Sequence, residues 1–178
     1  MIGTSDAVRW LVTASLLVVA LVLQVTIVPP LIPDFVAQGV VPNFCLLVVV
    51  AAALVRGPEQ AAVLGFVAGL LLDLVPPADH VAGRWALALV LVGYVAGRVR
   101  QDAGRSTLVA LGTVAAASFV GTSVFALSGM LLRDPAIPVA EALRVIPTSL
   151  VYDLLLAPFV LPVAMRMFRR LQPHQVAY

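Results

Sequence analysis

Apolar residues in this chain run in long stretches broken by short clusters of proline, glycine and charge, without the alternation of a half-buried strand. Each stretch approaches the ~20 residues that a helix needs to cross a bilayer core of about 30 Å. The pattern predicts helices over about residues 8–28, 40–55, 59–75, 81–99, 106–132 and 144–165. Pro29, Pro30 and Pro33 read as the stop of the first helix, because proline has no N–H to donate to the ladder. Pro42 suits the start of the second, and Arg56-Gly57-Pro58 forms the turn into the third. The third has an apolar centre of only 12 residues, Ala61 to Leu72, while the fifth offers 27 residues without a charge. The sixth is interrupted by Pro147, Asp153, Pro158 and Pro162. The expected fold is an all-α integral membrane protein of six transmembrane helices, forming a single polytopic domain over residues 1–178. The first apolar stretch, 10–28, exceeds a signal-peptide core and reads as a retained helix.

Composition agrees. Of 178 residues, 62% are hydrophobic and 11% charged, with a mean hydropathy of +1.08, whereas a soluble domain carries about a quarter charged residues. A net charge of +2 is too small for a nucleic-acid surface. One cysteine, Cys45, excludes an internal disulfide, and two distant histidines, His80 and His174, exclude a histidine-based metal cage. Gly121-Thr122-Ser123 invites comparison with intramembrane serine proteases, but no histidine lies at membrane depth to activate a serine.

Charge placement orients the chain, since short cytoplasmic loops collect arginine. With six crossings and a cytoplasmic N-terminus, Arg9, Arg56, Arg98, Arg100, Arg105, Arg166, Arg169 and Arg170 lie inside, and Arg84, Arg133 and Arg144 lie outside. If the third helix did not cross, the bias would vanish. Both termini are therefore expected in the cytoplasm, and the short second and third helices imply tilt, local thinning or burial against neighbours.

Two groups of residues stand out. Gly57, Ala61, Gly65, Gly69 and Asp73 recur every four residues, and Gly93 and Gly97 form a second small pair on the fourth helix. Small residues let membrane helices approach closely, so these positions read either as packing within a hairpin or as a docking face for a partner's helix. The second group is polar. Asp73 and Arg84 sit at the outer ends of helices three and four, placed for an ion pair, a loop cap or a site. Asp153 lies eight residues into helix six from Val145, ~12 Å below the outer surface, with Tyr152 beside it. A carboxyl at that depth needs a partner. It either satisfies backbone broken by the prolines or lines a polar cavity, with Gln24 and Asn43 as further lining candidates.

The order Pro42-Asn43, Arg56-Gly57, Gly65-Phe-Val-Ala-Gly69-Leu-Leu-Leu-Asp73, Gly83-Arg-Trp-Ala-Leu and Gly93-Tyr94-Val-Ala-Gly97 resembles the rod shape-determining protein MreD family over about residues 40–100. Family members commonly carry Asp where this chain has Asn43. The resemblance implies a bacterial inner-membrane component of the cell-elongation machinery, without enzymatic activity or cofactor, that controls cell shape and lateral peptidoglycan synthesis. It would bind a single-span MreC-like protein and, through it, the peptidoglycan polymerase and transpeptidase pair and the MreB filament. It also implies a fold similar to the substrate-binding subunits of energy-coupling-factor transporters. A solute-binding transporter subunit, with Tyr152 and Asp153 in its pocket, is the alternative from another class.

Overall fold

The computed structural model describes residues 4–31, 41–76, 81–100, 106–132 and 139–171. Pro33, His80, Arg105, Arg133 and His174 lie outside the described residues. Among the described residues there are six helices and no strand. Helix α1 spans Thr4–Val22 and continues through a π turn, Leu23–Ile27, into Val28–Leu31. Then follow α2 (Phe44–Arg56), α3 (Pro58–Leu74), α4 (Arg84–Arg98), α5 (Thr107–Leu131) and α6 (Val139–Arg170). Three segments are long and apolar enough to cross a membrane: Ala7–Leu31, Thr107–Leu131 and Leu143–Arg170.

Two proline readings change. The first helix does not stop at Pro29 and Pro30. The Val28 N–H bonds back to the Leu23 carbonyl, five residues away, and this widened turn displaces the carbonyls that the proline rings would otherwise strike. Pro147, Pro158 and Pro162 likewise lie within a continuous α6. The missing proline donors cost three ladder bonds, which a long helix held by its neighbours tolerates.

Helix α2 is the axis of the bundle. Every residue from Cys45 to Val55 is buried, and α2 touches each of the other five helices. Thirteen residues of helix span about 20 Å, less than the hydrocarbon thickness. Sheathed by its neighbours, α2 meets no lipid and has no length to match. A short buried helix has a cost, however, because its free N–H groups emerge inside the protein rather than at a wet surface.

Helices α3 and α4 form the tightest pair. A Cβ at Gly65 would strike the Leu89 carbonyl, one at Gly69 the Ala86 backbone, one at Gly93 the Ala61 carbonyl, and one at Gly97 the Pro58 backbone. Bare Cα atoms thus let the two backbones touch along four turns, and dispersion between closely packed atoms replaces the hydrophobic drive that lipid cannot supply. Gly57, at φ 96°, links α2 to α3 in a single residue, a conformation L side chains rarely adopt.

Candidate functional site: a buried polar knot and two grooves

The N-terminus of α2 gathers polar groups from four helices. Asn43 caps it, its side-chain Oδ1 accepting the Leu46 N–H at 2.8 Å. Gln24, in the π turn of α1, accepts the Cys45 N–H through Oε1 at 3.2 Å. The Asp153 carboxylate, from α6, accepts the Asn43 N–H at 2.7 Å and the Ser118 hydroxyl of α5 at 2.6 Å. Asp153 is completely buried, with Asn43 and Gln24 nearly so. The electrostatics are favourable, because an anion sits at the positive end of a helix. The Asn43 Nδ2 atom is the exception: it is buried and has no hydrogen-bond partner among the described residues.

This arrangement shows why a carboxylate stands at membrane depth. Both Asp153 oxygens are used in holding the α2 terminus to α5 and α6. Tyr152, its neighbour, is half-buried. Ser118 escapes sequence reasoning, because it is one of six hydroxyl residues along α5 and nothing local sets it apart from the others. The available signal is periodic: Val114, Ala117, Ser118, Gly121 and Thr122 share the buried face of α5.

Where α3 gives way to α4, at the end of the hairpin away from Gly57, Asp73 caps α4. Its Oδ2 accepts the Gly83 and Ala86 N–H groups at 2.9 and 3.1 Å, and its Oδ1 accepts the Trp85 N–H at 3.1 Å. Arg84 is 1% exposed and crosses to α5, where Nε and Nη2 donate to the Phe125 carbonyl at 3.2 and 2.8 Å. Its guanidinium lies 4.0 Å from the Phe125 ring centroid, and Trp85 stacks on the same ring at 4.4 Å. Gly129 leaves room for the guanidinium, where a Cβ would collide with it.

Small residues and polar residues thus serve separate contacts. Gly65, Gly69, Gly93, Gly97 and Ala61 face one another across the hairpin, and Gly57 forms the turn beside it. Asp73 and Arg84 fix its end away from Gly57, while Asn43 and Asp153 meet at the α2 terminus. Among the described residues, no group of three His, Cys, Asp or Glu could hold a metal.

Among the described residues, two of the open grooves carry charged side chains in their lining. One, of about 490 Å³, lies between α1 and α3 and is lined by Arg9, Trp10, Thr13 and Ala14 on one wall and Glu59, Gln60 and Val63 on the other. Arg56 closes its end, donating to the Thr13 hydroxyl at 2.9 Å and lying 4.6 Å over the Phe168 ring. The second, of about 750 Å³, lies between α5 and α6.

The sequence pattern of the family described as rod shape-determining protein MreD matches residues 4–170. The chain belongs to the MreD family. The match covers all six helices. No curated protein and no solved structure matches the chain. Membership of the MreD family places the chain in rod shape determination, in a family not known for enzymatic activity.

Proposed function

We propose that this MreD-family protein is a non-enzymatic scaffold of the cell-elongation complex in the bacterial inner membrane. It crosses the bilayer six times with both termini in the cytoplasm and receives the single span of an MreC-like protein in the groove between α1 and α3. Through that partner it acts on the peptidoglycan polymerase and transpeptidase pair and on the MreB filament. The observation that carries the reading is the groove itself. Helix α1 packs chiefly on α2 and diverges from α3, leaving an apolar slot whose inner end carries Arg9, Glu59 and Gln60. Apolar walls suit a membrane helix, and both charge signs at one end suit the polar residues that flank such a helix where it leaves the bilayer.

The α3/α4 glycines support the reading indirectly. Their faces are filled by each other, so the hairpin is a rigid wall rather than a vacant docking strip. The transporter alternative draws no support from the geometry, because Asp153, its expected pocket residue, is fully buried with both oxygens engaged.

Ala14→Trp and Val63→Trp, each filling the groove from one wall, should abolish co-purification of the MreC-like protein while leaving thermal melting of the isolated chain unchanged. Undiminished co-purification with both variants would refute the groove as the docking site.

A further inference from the structure

We infer that the groove between α5 and α6 holds an anionic glycerophospholipid, its phosphate against Arg166, Arg169 and Arg170 and one acyl chain along the apolar floor. The three arginines fall at i, i+3 and i+4, hence on one face of α6, and all three line the same end of the groove. All are exposed, and among the described residues none pairs with an acid. Among the described residues no Asp or Glu lines the groove, so the charge they place there is of one sign. A neutral headgroup would leave it so.

Below the arginines the lining turns apolar: Ala110 and Leu111 from α5, Pro158, Leu161, Pro162 and Met165 from α6. From Arg169 to Pro158 the helix rises about 16 Å, the depth of one leaflet of a 30 Å hydrocarbon core. The dimensions therefore match a lipid standing in its own leaflet, phosphate at the surface and chain end near the midplane. A soluble phosphate would use the arginines and leave the floor unexplained. A partner helix would run past the midplane, where the groove stops. The leaflet concerned is the cytoplasmic one only on the orientation proposed above; the chemistry of the site does not depend on it.

The test is retention of phosphatidylglycerol or phosphatidylethanolamine by the purified full chain in detergent, measured by native mass spectrometry. Phosphatidylglycerol should be retained in preference to phosphatidylethanolamine, and Arg166→Gln, Arg169→Gln and Arg170→Gln should each reduce retention about fivefold, the weight of one arginine at an anionic headgroup. Arg98→Gln and Arg100→Gln, exposed cations outside the groove, should leave it unchanged. Ala110→Trp should block the chain and reduce retention with the arginines intact. Equal retention of the two lipids, equal loss in the Arg98 and Arg100 variants, or displacement by soluble glycerol phosphate would each overturn the inference. Melting of the lipid-free variants separates loss of fold from loss of lipid. Co-purification of the MreC-like protein is an independent readout, so failure here is distinguishable from failure of the scaffold reading.

Discussion

The carboxylate of Asp153 accepts the backbone N–H of Asn43 at 2.7 Å, across 110 positions of sequence. The bond joins α6 to the start of α2, and it exists because α2 is too short to reach the surface. A membrane helix that ends at depth must have its free donors satisfied by protein. Gln24, Asn43 and Asp153 supply one acceptor each to successive parts of that terminus.

Replacing Asp153 tests this directly. Asp153→Leu leaves the Asn43 N–H and the Ser118 hydroxyl without their acceptor in a dry interior, at a cost of about 3 kcal/mol. Asp153→Asn keeps one acceptor and should lose about half as much. The measurement is thermal unfolding in a single detergent. A fully stable Asp153→Leu variant would show that the carboxylate does not hold α2.

The glycine hairpin makes a sharper prediction, because its neighbours are backbone atoms that cannot turn aside. Gly65→Ala and Gly69→Ala should each destabilise by about 3 kcal/mol as α3 and α4 are forced apart. Gly112→Ala on α5, where an added Cβ meets nothing within 4 Å, should be neutral or slightly stabilising. Melting of the three variants side by side distinguishes close approach from a general effect of glycine in membrane helices.

Hydropathy places the helices because lipid imposes length and composition on any segment it touches. It fails where that constraint is lifted. The first helix runs past Pro29 and Pro30 because a π turn, set by no local motif, relieves the clash. Asp153 announces itself as a charge in an apolar run, but its partners do not. One is a backbone N–H and the other a serine among alanines, and neither differs in sequence from its many equivalents. Gly65, Gly69, Gly93 and Gly97 are legible as small residues at four-residue spacing, yet which helix they face is settled only by the tertiary arrangement. Asp73 and Arg84 are equally legible as charges at helix ends, while their contacts, one capping α4 and the other reaching Phe125, follow from geometry alone.

Arg84 should therefore resist conservative exchange. The guanidinium donates twice to the Phe125 carbonyl and covers the Phe125 ring, a planar, forked contact that an ammonium cannot reproduce. Arg84→Lys should cost about 2 kcal/mol, visible as a lower melting temperature and, because Trp85 stacks on the same ring, as a change in tryptophan emission. An unchanged spectrum and melting point would show that the contact contributes little.

The arginine distribution yields a topological prediction that the protein's own chemistry makes convenient to test. Cys45 is 1% exposed, so the native thiol should be silent to a membrane-impermeant maleimide and every signal will come from an introduced cysteine. Arg100, after α4, and Leu132, after α5, are both exposed, and the 25-residue helix Thr107–Leu131 lies between them in the chain. With six crossings and a cytoplasmic N-terminus, Leu132→Cys should label in intact cells and Arg100→Cys only after permeabilisation. If α3 instead turned back within the membrane, everything following it would be inverted. Arg100→Cys would then label from outside, and the arginines of the α5/α6 groove would face the outer leaflet.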